Sequence, residues 1–599
     1  MNQSEIQTTR SLADQAKNNG DFSKAIQYYE SLFDATKSDV YYYELIKLYP
    51  EIGDFKTAEK IIKRRVKKYS QRPDYLVDLG HIYEVQKNNK EANKYYNEAI
   101  SKGGNIDIAR SIANQFLKYD LNEYAEQLYL MVRKKNKNPN LFRFELARAY
   151  MQQGKTSEMV DEYLAILGNN RGHLRSIQNI FQRILHPDPE GIQMQMLKNK
   201  LLRKIQNQPQ IEVFPELLIW LYIQDKNFDG AFIQAKALDR RAKEGGERLN
   251  SLANLCMTNK RYDVAKQCYQ YIISLKEKNQ YYHAARMNLV KVMKLDLLSK
   301  SDYNRSQLIE IRNEYLKTLE ELKISARTYA LQIGLADLNA FYLNDVDTAI
   351  LILNRVIKLV GLNEHDRANA KISLGDLMLL KGEKWEASLL YSQVEKAFKY
   401  DQLGEIAKFK NAKIAYYVGD FYWSQAQLDV LKGSTSKLIA NDAMELSLLI
   451  TDNIGRDSIS EPLEMFARAD LLIFKMDYQA ANTTLDSIPK FFPSTRLIDD
   501  ILMAKFQMAY QQKQYELAKE NLEKVISDFA YDVLADDALF ELAKLEEEKF
   551  ENPERAMDLY KTIITDYPSS LFVVESRKRF RFLRGDDIEK QEDEFFEGL

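Results

Sequence analysis

Pro73-Asp74-Tyr75-Leu76-Val77-Asp78-Leu79-Gly80-His81-Ile82-Tyr83, followed by Asn88-Asn89-Lys90-Glu91-Ala92-Asn93-Lys94-Tyr95-Tyr96-Asn97-Glu98-Ala99-Ile100, reads as two short amphipathic helices joined by a tight turn. At the 3.6-residue period Leu79, Gly80 and Tyr83 share one face of the first helix, and Ala92, Tyr96 and Ala99 one face of the second. Small Gly80 and Ala92 let the backbones approach, and Tyr83 and Tyr96 fill the gaps beside them. The unit recurs. Second helices open at Phe22, Phe55, Asn89, Asn122 and Thr156, each three residues before Ala25, Ala58, Ala92, Ala125 and Met159; subtraction gives spacings of 33, 34, 33 and 34. Phe228/Ala231 and Tyr262/Ala265 are again 34 apart, and the gap before them holds one longer unit with helices over 174–185 and 191–205, with Pro187 and Pro189 in its turn. Leu79-Gly80 corresponds to Leu12-Ala13, Ile112-Ala113, Leu146-Ala147 and Leu252-Ala253, and Tyr96 to Tyr29, Tyr129, Tyr163 and Tyr269.

A repeat of this length changes what composition means, because a stack of hairpins grows along one axis rather than filling separate globules. Lys and Arg number 85 against 87 Asp and Glu, a net charge of −2, so the chain as a whole is not built to coat nucleic acid or an anionic membrane. Gly (22) and Pro (12) are scarce and Tyr (37) abundant, which suits helices and not many-stranded sheets. No run approaches the roughly 18–20 apolar residues of a membrane span. Residues 1–7 are polar and do not form a signal peptide, so two readings fit: a cytoplasmic protein, or a mature periplasmic chain with an added Met1. Cys256 falls at the Tyr83-equivalent core position and Cys268 on the facing helix, which predicts two buried thiols; a cross-hairpin disulfide is the alternative.

Beyond Ala265 the register loosens. Residues 281–298 and 304–323 read as a hairpin of long helices, with Ser301 or Asp302 placed to cap the second. Units at Val346/Ala349, Leu374-Gly375 with Trp385-Glu386-Ala387 and Tyr391, and Phe421/Ser424 follow, then an extra helix over 437–451. Residues 453–462 are linker-like, and Tyr478/Ala481, Tyr515/Ala518 and Pro553/Ala556 close the series. The expected divisions are an N-terminal array over 1–275, a central array with longer helices over 276–452, a C-terminal array and capping helix over 453–585, and an acidic flexible tail over 586–599.

Large–small at adjacent positions, an aromatic one turn on, and small and aromatic four apart on the second helix, at a period near 34, resemble the tetratricopeptide repeat. The family's Trp is replaced by Leu76 in the opening unit. The resemblance implies an all-α, right-handed superhelical solenoid of about fourteen degenerate helix–turn–helix units. Its last helix, over 572–583, carries Arg577, Lys578, Arg579 and Arg581 as a polar cap. The ending Tyr567-Pro568-Ser569 resembles repeats of BamD- and CpoB-type proteins of the bacterial cell envelope. That likeness covers about 475–584 and implies an outer-membrane-associated complex.

No Gly-rich phosphate loop, Gly-x-Ser-x-Gly, His-Glu-x-x-His or Cys-x-x-Cys is present, and the five histidines are scattered. His186-Pro187-Asp188 reads as a turn before a helix rather than a metal site. The expectation is a non-enzyme with no catalytic residue, metal or cofactor. What remains is surface. In the family the first helices line a concave groove, and the mapping gives Tyr43, Lys47, His81, Arg110, Asn114, Phe144, Arg148, Trp220 and Asn254 as protein-binding candidates. Aromatics mixed with Arg, Lys and Asn supply stacking area and hydrogen bonds for peptide recognition. Lys60, Lys63, Arg64, Arg65, Lys67 and Lys68 on one helix, and Arg133, Lys134, Lys135 and Lys137 at the end of another, read first as helix-dipole partners. The function expected is a protein–protein scaffold in an envelope complex, binding proteins or peptides, with a membrane-protein complex among the candidate partners; nucleic acid is not an expected partner. A cytoplasmic adaptor or regulator, or an accessory subunit of an enzyme, is the alternative.

Overall fold

The computed structural model describes residues 1–584 apart from 187, 189, 190, 277, 301, 435 and 455–459, and only the backbone of Lys437. Expectations for Pro187, Pro189, Ser301 and the 586–599 tail lie outside the described residues. The chain divides into two compact units, Met1–Ala242 and the chain from Lys243 on.

The first unit holds α1 (Gln3–Asn18), α2 (Phe22–Thr36), α3 (Asp39–Glu51), α4 (Phe55–Lys68), α5 (Asp74–Val85), α6 (Asn89–Lys102), α7 (Ile106–Lys118), α8 (Asn122–Lys135), α9 (Arg143–Gln152), α10 (Thr156–Asn169), α11 (Leu174–Leu185), α12 (Ile192–Asn207), α13 (Val213–Gln224) and α14 (Phe228–Ala242). The second holds α15 (Glu247–Thr258), α16 (Tyr262–Ser274), α17 (Tyr282–Ser299), α18 (Arg305–Leu322), α19 (Tyr329–Asp337), α20 (Val346–Ile357), α21 (Glu364–Lys381), α22 (Lys384–Ala397), α23 (Gln402–Tyr417), α24 (Phe421–Leu431), α25 (Lys437–Asn453), α26 (Glu461–Phe474), α27 (Tyr478–Phe491), α28 (Ile498–Gln511), α29 (Tyr515–Asp528), α30 (Ala535–Glu548), α31 (Pro553–Asp566) and α32 (Val573–Arg584). No strand occurs among the described residues. Each unit is an α-solenoid: consecutive helices pair antiparallel, and first helices also touch the next first helix, α5 against α7 and α23 against α26.

The second helices begin at the residues the periodicity marks: Phe22, Phe55, Asn89, Asn122, Thr156, Phe228, Tyr262, Val346, Phe421, Tyr478, Tyr515 and Pro553. One backbone device sets these starts. The residue two positions before the second helix adopts a left-handed conformation, which reverses the chain. Gly20, Gly53, Gly154, Gly382 and Gly419 take it in five turns, and Lys87, Asp120, Lys226, Lys260, Asn344, Met476, Lys513 and Glu551 in eight others. The next residue is the N-cap, and its side chain often accepts from the third residue beyond it, as Asp21, Asp54, Asn88 and Asp477 do.

The pair is held by the small residue and the tyrosine. In α5–α6 the Tyr96 ring lies on bare Gly80, and in α21–α22 Tyr391 lies on Gly375, so a Cβ at either glycine would overlap the ring. The phenol then reaches a polar side chain of the first helix: Tyr96 donates to Glu84 at 2.8 Å, Tyr391 to Asp376 at 2.6 Å, Tyr560 to Glu547 at 2.8 Å and Tyr269 to Asn254 at 3.0 Å. Tyr29 donates to Asp14 in the same way. These buried tyrosines bring a large apolar ring and satisfy the one polar atom it carries.

Three local expectations change. The cap of α18 is Asn304, whose side chain accepts from Gln307 N–H while the Gln307 side chain accepts from Asn304 N–H. A reciprocal box satisfies two orphan donors, and Asp302 does not cap the helix. Helix α19 runs into a π-helical segment, Leu338–Tyr342, that periodicity does not reveal because one extra residue is absorbed in the helix. The outer face of α32 is not wholly polar: Val574 and Phe582 are exposed beside Arg577 and Lys578. Its inner side is firmly seated, with Phe572 stacked on Phe540 at 4.4 Å and Arg579 donating to Glu547 at 2.9 Å.

Cys256 and Cys268 are both buried free thiols, and burial, with the neighbouring Cys256 adding to it, pushes the Cys268 thiol well above the usual thiol range. Both should resist a thiol-specific reagent in the folded protein and react stoichiometrically in denaturant; labelling of native protein within minutes would refute their burial. Gly80→Ala and Gly375→Ala should each destabilise the chain by about 1–3 kcal/mol in urea unfolding, the overlap with the tyrosine outweighing the helix-propensity gain of about 1 kcal/mol. A higher midpoint would refute the contact.

Candidate functional site

The face formed by the first helices α3, α5, α7 and α9 gathers the polar and aromatic side chains of the first unit. Its centre is Asp78. Every residue from Asp74 to Gly80 is buried, and Asp78 is 1% exposed. A carboxylate so placed needs donors, and the neighbouring first helices supply them. Tyr42 of α3 donates to Asp78 Oδ2 at 2.7 Å, and Tyr119, just past α7, to Oδ1 at 2.7 Å. The Gln115 amide of α7 donates to the same Oδ1. Burial nevertheless outweighs these donors and pushes the Asp78 carboxyl up to about 6.

Around this centre the surface is cationic and aromatic. Lys118 Nζ sits 3.3 Å above the Tyr43 ring, and burial lowers its own pKa while Asp78 opposes that. His81 stacks on Tyr119 with centroids 4.0 Å apart, its Nδ1 3.4 Å from Glu84 Oε2; burial first, against the pull of Glu84, holds it more neutral than a free imidazole. Tyr43, His81, Lys118, Tyr119 and Asp78 thus form one connected cluster across three helices.

The remaining expected binding residues stand as follows. Lys47, Asn114 and Arg148 are exposed, and Lys47 and Arg148 have no ion pair among the described residues. Arg110 is held by Glu145 at 3.4 Å and lies 5.7 Å from the Phe142 centroid. Phe144 is 49% exposed and edge-on to His173 at 5.2 Å. Trp220 is half-buried against the core of its unit, and Asn254, in the second unit, accepts from Tyr269 and so also serves its own hairpin. Sequence reasoning missed Asp78, Gln115, Lys118 and Tyr119. The legible signal was an acid inside the apolar run Tyr75–Leu79.

The two basic clusters divide. On α4, Lys56, Lys60, Lys63, Arg64 and Lys67 line one open surface depression. Arg65 instead turns inward, its guanidinium 4.7 Å from the Tyr42 centroid, 5.1 Å from Phe33, 5.4 Å from Tyr69 and 5.5 Å from Tyr75, while donating to Asp39 and Tyr75. Arg133, in the last turn of α8 as expected, also forms an ion pair 2.6 Å from buried Glu162, which takes Arg143 as well at 2.9 Å. In the second unit, Trp385 and Trp423 stand largely exposed near the starts of the second helices α22 and α24.

Models of the tetratricopeptide repeat match residues 73–101 and 537–570. No curated protein matches the sequence. Among solved structures, a tetratricopeptide repeat protein from Parabacteroides merdae is 13% identical and covers 51% of this chain and 100% of its own, at a TM-score of 0.27. Yeast Tom70 is 13% identical, covering 96% and 99% at 0.25, and Naa15/Naa10 bound to HypK-THB is 12% identical, covering 91% and 97% at 0.24. Superpositions at such scores add nothing to the repeat matches. None of these relatives carries the envelope likeness of residues 475–584 further.

The Asp78 network gives a signed expectation. In the unfolded chain the carboxyl ionises near 4, in the fold near 6, so the folded state binds the extra proton between these values and stability falls as pH rises through them. Asp78→Asn removes this group. The stability of wild type relative to Asp78→Asn should therefore fall by about 2–3 kcal/mol between pH 4 and pH 7, measured by urea unfolding at both. Asp78→Ala, which orphans two phenols and an amide, should cost about 2–4 kcal/mol at any pH. A flat difference between wild type and Asp78→Asn would refute the buried carboxyl.

Proposed function

We propose that this chain is a non-enzymatic protein-interaction scaffold, and that its first unit binds a peptide segment of a partner across the α3–α5–α7–α9 face. One observation carries the reading: rigidly held aromatics share this face with exposed cations that have no ion pair among the described residues. Tyr43 and His81 are fixed by Lys118 and Tyr119, while Lys47 and Arg148 keep their charges exposed. Fixed rings offer stacking area at little entropy cost, and exposed Lys and Arg supply donors for carbonyl or carboxylate groups. The repeat matches support a binding role, since stacked hairpins expose long continuous faces. Association with a bacterial envelope complex is supported by the likeness of the Tyr567-Pro568-Ser569 repeat alone.

Charge reversal at Arg148 and Arg110, with Lys47→Glu as a third variant, should cut recovery of the native partner at least about tenfold in affinity purification from the source cells. The circular dichroism and unfolding midpoint of the Arg148 and Lys47 variants should stay unchanged. Undiminished recovery from all three would exclude this face.

A further inference from the structure

Helix α25 departs from the repeat. It lies in sequence between the pairs α23–α24 and α26–α27, yet α23 packs directly on α26 as neighbouring first helices do. α25 therefore does not continue the stack; it lies against α24, α23 and α26. Ile439, Ala443, Leu446 and Ile450 on one side join the core these helices share. The other side leaves Leu438, Met444 and Leu448 exposed at 69%, 43% and 46%. Among the described residues these three apolar side chains remain exposed on one helix, an unpartnered face.

The charges beside that face share one sign. Glu445 and Asp452 edge it. Glu445 is within electrostatic reach of Asp442 on its own helix, Asp470 of α26, Asp500 of α28 and Asp537 of α30. Asp452 reaches Asp499 and Asp500, Asp532 adds to Asp499, and Asp536 and Glu541 add to Asp537. Lys413 of α23 faces Asp442 and Glu445, but Asp470 holds it at 3.5 Å; the Asn453 amide donates to Asp500. Burial, reinforced by these neighbouring carboxylates, pushes Asp500 and Asp537 each up to about 7. Carboxylates on α25 thus face carboxylates on α28 and α30, a repulsion that cations placed between them would relieve.

We propose that the α25 face is a docking surface for a basic amphipathic helical segment of a partner protein. Its apolar residues would rest on Leu438, Met444 and Leu448, and its lysines or arginines would lie between the carboxylates of α25 and those of α28 and α30. The proposal is independent of the reading of the first unit.

The probe is a fluorescent Lys/Leu peptide of about 18 residues patterned as an amphipathic helix, titrated with the full chain and read by anisotropy. A Glu/Leu peptide and a Lys/Gln peptide are controls. At pH 8, Met444→Glu with Leu448→Glu, and separately Asp500→Asn with Asp537→Asn, should each weaken binding at least about tenfold. Wild-type affinity should fall about tenfold from pH 8 to pH 6, because the two carboxyls become neutral across that window and no longer attract the peptide. Lys47→Glu and charge reversal at Arg148 should leave peptide binding unchanged, which separates this surface from the first. Met444 and Leu448 are exposed, so that variant decides the matter even if the paired Asn changes alter folding. Equal binding by wild type and variants, or by the Lys/Gln peptide, would overturn the proposal. So would a concentration-dependent dimer in sedimentation that the Leu448→Glu change dissolves, since a second copy would then own the face.

Discussion

The hairpins closed by Tyr29, Tyr96, Tyr269, Tyr391 and Tyr560 depend on the contact between the first helix and a tyrosine on the second. Gly80 and Gly375 let the Tyr96 and Tyr391 rings lie directly on the helix backbone, and the phenol oxygen then reaches a carboxylate on the same first helix. Where alanine replaces glycine, at Ala13 and Ala253, the ring still reaches the next residue, Asp14 or Asn254. The contact sets the spacing of the two helices, buries a large ring and satisfies its hydroxyl in one stroke. It explains why a chain with 37 tyrosines has so few exposed ones in its hairpin cores.

Between hairpins, polar groups do what the tyrosine does within them. Asp78 ties α3, α5 and α7 together, Arg65 joins α4 to α3 and α5 through an aromatic cage, and Glu162 joins α10 to Arg133 of α8 and Arg143 of α9. In a solenoid each unit contacts little beyond its neighbours, so such links govern how far unfolding spreads from one repeat to the next. A buried ion pair or acid is a weak source of net stability but a strong constraint on register, because a slipped arrangement leaves a charge without its partner.

Surface chemistry distinguishes the two units. The first presents cations beside fixed rings, with Lys118 on Tyr43 and Lys47 beside Lys118, and Arg148 exposed on α9. The second presents carboxylates beside an apolar helix face. A near-zero net charge conceals this, since opposite local excesses cancel in the sum. A chain with two oppositely charged faces is suited to hold two different partners.

The 34-residue recurrence alone determined the helical pairs, the residues at which second helices begin, and the buried identity of Ala92, Tyr96 and Cys256. These follow from local rules, the 3.6-residue period and the turn that precedes each second helix, which act within one hairpin. The Asp78 donors, the inward turn of Arg65, the π-helical segment at Leu338–Tyr342 and the position of α25 were decided only by the tertiary structure. The Asp78 site depends on which side chains from helices more than 30 residues away arrive at one place, as Tyr42 and Tyr119 do. A one-dimensional period carries no record of that meeting, because the repeat fixes where a side chain points and not what the next repeat will offer it.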